Sequence, residues 1–306
     1  MTVLSLPHPS ADLLAPFLES QTTTHTRIAY SADLRAFFGT DLITINQVTS
    51  IGFEDVEQYR NDLVAEGKKP TTVNRYLTSL FAFFKRCVAL GLIARNPADS
   101  ALVKRLRMAD TSVGKAIAPE HIAEMISLAS KHDNRLIALR DVALLKVLLY
   151  AGLRRNEACS MQWSDLIVEG GHTIVILRDT KAGTDQHVKL APIVVEALTA
   201  LSDAYNGEFD YVFVSLHHKS RYGDQISSKA VRDVVVRYGE MIGLKITTHQ
   251  LRHTCATLAM EGGAKPQQVQ SHLRHKDIKT TMRYYTERDA LSDNATDYIS
   301  IGVGNE

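Results

Sequence analysis

Apolar residues return every three or four positions along most of the first hundred residues, which places them on single helical faces. From Thr26 to Phe38, Ile28, Leu34, Phe37 and Phe38 suit one such face, and Gly39 stands where a C-terminal cap belongs. A second helix is predicted from Glu54 to Glu66, before Gly67. A third, from Pro70 to Leu90, opens with proline in its first turn, repeats Val73, Leu77, Leu80, Phe81, Phe84 and Val88, and closes at Gly91. Between Asn96-Pro97 and Pro119 the pattern lapses into polar, turn-forming residues typical of a linker. The expectation is an all-helical domain over residues 1–106 and a second domain over 107–306.

In the second domain helical spacing resumes from Glu120 to Ser130 and from Leu136 to Tyr150, and then the period changes to two. Thr173 to Arg178 and Gln186 to Leu190 are predicted as strands flanking the turn at 179–184, a β-hairpin with Lys181 near its tip. A further short strand is predicted from Tyr211 to Ser215, and helices return at Lys229 to Ile242, Thr248 to Glu261 and Pro266 to Leu273. Near the end, Leu291, Ala295, Tyr298 and Ile299 form a short apolar stripe at helical spacing. The fold class is therefore mainly α with a small antiparallel β-sheet.

Composition narrows the function classes. With 306 residues and 45% apolar content the chain can bury two ordinary cores. Cys87, Cys159 and Cys255 are an odd number without C-x-x-C spacing, so neither a disulfide framework nor a thiolate metal site is expected. No apolar run approaches the roughly 20 residues needed to span a bilayer, and the N-terminus lacks a basic leader, so a cytoplasmic protein is expected. The formal charge of +1 announces no nucleic-acid partner by itself. Base is nevertheless clustered, at Lys68-Lys69, Lys85-Arg86, Lys104-Arg105-Arg107 and from Arg274 to Arg288. Such clusters are commonly solvated helix faces, so motifs must decide.

Four separated pieces carry candidate chemistry: Gly152-Leu153-Arg154, Lys181 on the hairpin, His249-Gln250-Leu251-Arg252-His253, and His275 followed nine positions later by Tyr284. Each alone is weak. His249 and Arg252 share a helix face at i and i+3. His249 and His253 have the i, i+4 spacing of a zinc helix but lack the glutamate and third ligand, so no metal is expected.

Taken in order, these pieces resemble the tyrosine recombinase family of phage integrases and Xer-like enzymes. The matching text is AGLRRNEACSMQWSDL, DTKAGTDQHVKL, THQLRHTCATLAMEGGA and HLRHKDIKTTMRYYT, with THTRIAYSADLRAFF and KKPTTVNRYLTSLFAFFKRCVALGLIARNPAD in the N-terminal half. The resemblance implies a helical, SAM-like core-binding domain ahead of a mixed α/β catalytic domain. It implies a catalytic set of Arg154, Lys181, His249, Arg252, His275 and Tyr284, with Glu157 supporting Arg154. Arginines suit the equatorial oxygens of a pentavalent phosphate, lysine suits protonation of a leaving 5′-oxygen, and tyrosine is the nucleophile. DNA contacts are expected at Lys85, Arg86, Lys104, Arg105, Arg107 and Arg274. The implied partners are a double-stranded DNA recombination site and copies of the chain itself, four on two duplexes, with the C-terminal segment docking in trans. No cofactor is implied.

The chain departs from the family in two places. Arg274 takes the place of a glycine, so the backbone there is expected to differ or its guanidinium to reach a DNA phosphate. Thr248 replaces a proline, and Tyr285 adjoins the expected nucleophile. The alternatives are a type IB topoisomerase-like relaxing enzyme, a catalytically idle DNA-binding accessory protein, and a helical protein that binds no DNA.

Overall fold

The structure is a computed structural model that describes residues 11–107, 116–178, 185–216 and 221–282. The chain divides into two compact units, residues 1–111 and 112–306. The first is built from α1 (Leu14–Glu19), α2 (Thr24–Phe38), α3 (Ile45–Ser50), α4 (Phe53–Ala65) and α5 (Pro70–Ala89). The short α1 and α3 fall between the segments whose periodicity is long enough to read. Thr23 caps α2 by accepting from the Thr26 N–H at 3.2 Å, and Gly39 ends it in the left-handed conformation at φ 68°.

Helix α5 is the centre of this unit because its apolar stripe is continuous. Val73, Leu77, Leu80, Phe83, Phe84 and Cys87 are all buried along it. Phe17 and Phe38 meet Phe83 at 5.3 and 5.8 Å in edge-on contacts. One charge is buried with them: Asp33 on α2 accepts from Ser79 Oγ at 2.6 Å and from the Arg75 guanidinium, both on α5.

The polar stretch read as a linker is, up to residue 107, part of this unit. Ala98 and Val103 are buried, and the Asn74 side chain brackets Leu106, donating to its carbonyl and accepting from its N–H, both at 2.9 Å. One amide thus satisfies both backbone groups of a residue that forms no ladder or helix. Arg105 lies along α5 and donates to the Asn74 carbonyl at 2.7 Å, while Lys104 and Arg107 are exposed.

The second unit begins with α6 (Pro119–Ser130), α7 (Arg135–Tyr150) and α8 (Arg155–Ser160). A three-stranded antiparallel sheet follows, β1 (Leu166–Glu169), β2 (His172–Leu177) and β3 (Gln186–Lys189) in that order, with buried Val175 facing buried Val188. Then come α9 (Pro192–Tyr205), α10 (Ser228–Met241), α11 (Thr248–Glu261), α12 (Pro266–Leu273) and α13 (Ile278–Met282). Helix α7 is apolar on nearly all sides and runs through the core against α6, α9 and α11. Its two buried charges pair: Arg140 meets Asp141 at 2.8 Å, and Asp141 also accepts from the Tyr238 hydroxyl at 2.9 Å and has Arg237 at 3.9 Å.

The strand expected from Tyr211 to Ser215 is not formed. Val212, Phe213 and Val214 are buried, but the segment bonds to Met161 on one side and to Asp224 and Ile226 on the other, making single bridges where a ladder would need a longer partner. Helix α9 went unread although Pro192 opens it and Val194, Leu198, Leu201 and Tyr205 line its buried face. The turn at 179–184, and with it Lys181, lies outside the described residues, as does everything after Met282.

Candidate active site

A three-residue turn at the end of α12 organises the site. Leu273 closes the helix, Arg274 takes the left-handed conformation at φ 56° and ψ 45°, and His275 follows. The carbonyl of Leu273 accepts from Arg252 Nη2, and the carbonyl of Arg274 accepts from Arg154 Nη2 at 3.4 Å. Two guanidiniums, 98 positions apart in the chain by their residue numbers, are thereby aimed by consecutive backbone groups.

Each arginine also has a second support. Arg252 sits in the first turns of α11, whose N-cap Thr247 accepts from Gln250 N–H at 3.2 Å, and its Nη1 donates to the carbonyl of Gly152. Gly152 has φ 56°, and a Cβ there would collide with the Leu273 side chain, so glycine is needed both for its backbone angle and for the close approach. Arg154 is the N-cap of α8. Glu157, three residues on, accepts from the Arg154 backbone N–H and from its Nη1, both at 2.7 Å, which folds the arginine back over its own helix start.

Burial separates the two. The Arg252 residue is 3% exposed, whereas the Arg154 side chain is 48% exposed. His249 lies one helical turn before Arg252 and is exposed. His275 faces this group and its Nδ1 meets Thr281 Oγ1 at 2.9 Å. Burial first, then the charges of Arg252, Arg154 and Arg274 and the nearby His249, push its pKa down to about 4. At neutral pH the imidazole is uncharged and its Nε2 can exchange a hydrogen bond with a phosphate oxygen.

Arg274 does not face outward as expected. Its side chain is 5% exposed, its Nη2 meets Glu157 Oε2 at 2.7 Å and its Nη1 donates to the His272 carbonyl at 3.0 Å. The left-handed backbone at this place costs a residue with a side chain about 1 kcal/mol. Burial alone would raise the Glu157 pKa, but Arg274, followed by the N–H and guanidinium of Arg154, more than cancels it and holds the carboxyl below its ordinary range. Sequence spacing gave no sign of this inward turn. The single clue was an arginine where a positive φ is needed.

Of the residues singled out from the sequence, Arg154, Glu157, His249, Arg252 and His275 converge here. Lys181 and Tyr284 lie outside the described residues. Lys85, Arg86, Lys104, Arg105 and Arg107 belong to the first unit, where Lys85, Lys104 and Arg107 are exposed and Arg86 and Arg105 half-buried. His272 meets the Tyr150 carbonyl through Nε2 at 3.0 Å. All three cysteines are unpaired and buried. Among the described residues no group of three or more His, Cys, Asp or Glu is placed to hold a metal ion, and no helix is long and apolar enough to cross a membrane.

Comparison with known proteins adds two family matches. The phage integrase family matches residues 115–290, and the phage integrase N-terminal SAM-like domain matches residues 15–90. Among similar relatives, tyrosine recombinase XerC of Xanthomonas campestris pv. campestris is 29% identical over 296 residues, covering 90% of this chain and 85% of that protein. Tyrosine recombinase XerA of Thermococcus onnurineus is 26% identical over 265 residues, covering 76% of this chain and 90% of its own. The solved structure of the Tn1549 transposon integrase in complex with circular intermediate DNA has the same fold, with a TM-score of 0.69 at 20% identity over 93% of this chain and 99% of that one.

Proposed function

The chain belongs to the phage integrase family of tyrosine recombinases, and from that premise we propose that it cuts and rejoins DNA at a specific site through a 3′-phosphotyrosine on Tyr284. The observation that carries this reading is the surplus of positive charge in the site. Arg154 and Arg274 both meet the carboxylate of Glu157, Arg252 is held by the Leu273 carbonyl of the same turn, and a neutral His275 faces these guanidiniums. A phosphodiester is the substrate such a site suits. In the transition state its non-bridging oxygens gather negative charge, and guanidiniums already held in place stabilise that charge without reorganising.

The Tyr284 oxygen attacks phosphorus, the bond to the 5′-oxygen breaks, and the departing oxygen takes a proton from Lys181 to leave a 5′-hydroxyl. Arg154 and Arg252 grip the phosphate oxygens. His249 accepts the tyrosine proton or binds phosphate, and His275 hydrogen-bonds a phosphate oxygen. Because the phosphotyrosine keeps the energy of the broken bond, attack by a 5′-hydroxyl from the other duplex rejoins the strand. Two such exchanges pass through a Holliday junction, in the integration, excision or resolution of a mobile element or replicon. Recombining two duplexes calls for four protomers. An apolar cavity of ≈ 630 Å³, walled by Ile122, Ile126, Leu149, Ile193 and Leu258 among others, suits the stripe of Leu291, Ala295, Tyr298 and Ile299 from a neighbouring copy.

The Tn1549 transposon integrase holds DNA in its solved structure, which supports DNA as the substrate class here. The test is covalent trapping on a randomised pool of nicked duplex oligonucleotides. The parent is expected to give a detergent-resistant protein–DNA band, Tyr285→Phe to retain it, and Tyr284→Phe to lose it to background. Sizing the undenatured complex is expected to give four protomers on two duplexes. A band that persists in Tyr284→Phe and vanishes in Tyr285→Phe removes Tyr284 as nucleophile.

A further inference from the structure

Arg274 stands in a conformation that glycine adopts more easily, at φ 56°, yet its side chain is directed inward with 5% of it exposed. Two parts of this one residue reach the start of α8. Its guanidinium donates to Glu157 Oε2 at 2.7 Å, and its carbonyl accepts from Arg154 Nη2 at 3.4 Å. Arg154 in turn donates to Glu157 Oε1 and, from its backbone, to Oε2, at 2.7 Å each. The contacts form a closed ring joining the start of α8 to the turn after α12. The next carbonyl along that turn, of Leu273, holds Arg252, and the next side chain, of His275, faces the same group.

We propose that Arg274 is a positioning residue for the reaction: by pinning Glu157 it fixes the α12 turn on α8, so that the Leu273 and Arg274 carbonyls aim Arg252 and Arg154 together at one phosphate. This rests on the reading that both arginines bind the scissile phosphate. A glycine at 274 would keep the backbone angle and the two carbonyls but lose the pin. Among the described residues, the side-chain bond then left between the turn and α8 is the long one from Arg154. Small rotations of either guanidinium suffice to spoil bidentate binding, because a planar fork must meet two oxygens at once.

The test measures single-turnover covalent trapping on the nicked duplex pool, with thermal melting and DNA affinity measured in parallel. Arg274→Gly is expected to lower the trapping rate at least tenfold while DNA affinity changes less than threefold and melting stays cooperative. Arg274→Lys, which keeps a cation for Glu157 but cannot also reach the His272 carbonyl, is expected to recover most of the rate. In the pair with Glu157→Gln, the double variant is expected to be no slower than the slower single, since both act through one contact. Trapping by Arg274→Gly at the parent rate overturns the proposal, as does multiplication of the two single effects in the double variant. If Arg274→Gly does not fold, Arg274→Met decides: it is expected to trap at least tenfold more slowly than Arg274→Lys, and trapping at the Arg274→Lys rate overturns the proposal. A parent that traps no DNA at all sinks the functional reading itself, an outcome distinct from a parent that traps and an Arg274→Gly that traps equally well.

Discussion

Each compact unit buries charge, and the two do so with opposite balance. In the first, Asp33 is 1% exposed and is met by one guanidinium, Arg75, and one hydroxyl, Ser79. The charges cancel, and the group ties α2 to α5. In the second, two arginines, Arg154 and Arg274, share the carboxylate of Glu157, and a third, Arg252, is held beside them by the carbonyls of Gly152 and Leu273. Much of their donor capacity is spent on carbonyls, which hold a guanidinium in place without neutralising it. A balanced group stabilises a fold. An unbalanced one held rigid by dipoles is poised for an anion that is not part of the chain.

The largest effect that separates the two clusters comes from removing one arginine of each. Arg252→Ala is expected to lower the rate of covalent trapping by roughly 10²- to 10³-fold, the loss usual for one preorganised donor to a developing anion. Arg75→Ala leaves the Asp33 carboxylate unmatched and is expected to destabilise the first unit by about 2 kcal/mol, reduced from the usual buried-pair loss because Arg75 is 47% exposed. Trapping per folded molecule should then stay at the parent level. Urea melting and trapping on the same samples check both. Equal loss of trapping in the two variants erases the distinction.

The elements most legible in the sequence were those whose pattern is local. Helices α2, α4, α5, α6, α7, α10, α11 and α12 were read within a few residues of their bounds, since apolar spacing, proline at the first turn and glycine past the last turn all act within one element. Strands β2 and β3 were legible by the change to period two, while β1, four residues with a mostly exposed side, was too short to show a period. The 211–215 segment misled because burial made it apolar without making it a strand. In the site, the order of motifs located Arg154, Glu157, His249, Arg252 and His275, but not the direction of Arg274. That direction is set by a contact 117 residues away with Glu157, which no spacing rule reports.

The same contrast between matched and unmatched charge can be read inside the short stretch 104–107. Arg105 is half-buried against α5 with its Nη1 on the Asn74 carbonyl at 2.7 Å, whereas Lys104 and Arg107 are exposed. If exposed base is what meets phosphate, the Lys104→Ala, Arg107→Ala pair should weaken DNA binding at all sequences and flatten the slope of log affinity against log salt by roughly 2, about 0.9 per phosphate contact. Arg105→Ala should leave the slope alone and cost about 1 kcal/mol of stability through its lost hydrogen bond. Salt titrations of fluorescent duplex binding check this. A slope flattened by Arg105→Ala and untouched by the double variant would reverse the assignment.

The smallest effect expected is on the pH dependence of stability, and it tests whether the surplus charge is felt within the folded chain before any DNA arrives. His275 faces Arg252, Arg154, Arg274 and His249, and its Nδ1 meets Thr281, which does not titrate. Its pKa, near 6.5 when unfolded, is pushed down to about 4 by burial first and then by those charges. Between these values the unfolded chain binds a proton that the native chain refuses, so stability is fully present above about pH 6.5 and is lost as pH falls toward 4. His272, lowered chiefly by burial, works in the same direction. Glu157, whose pKa is lowered, keeps its contribution above the unfolded carboxylate range and loses it only at more acid pH, so the two effects separate. Chemical denaturation between pH 6.5 and 5 should therefore show the parent losing stability and His275→Gln losing less, with His272 contributing to the slope that remains. Because His275 is only half-buried, solvent screens the effect and a shallow slope is expected. Identical slopes in the parent and His275→Gln would mean that the arginines are already screened from the imidazole, and the surplus would then be a matter of counting and not of field.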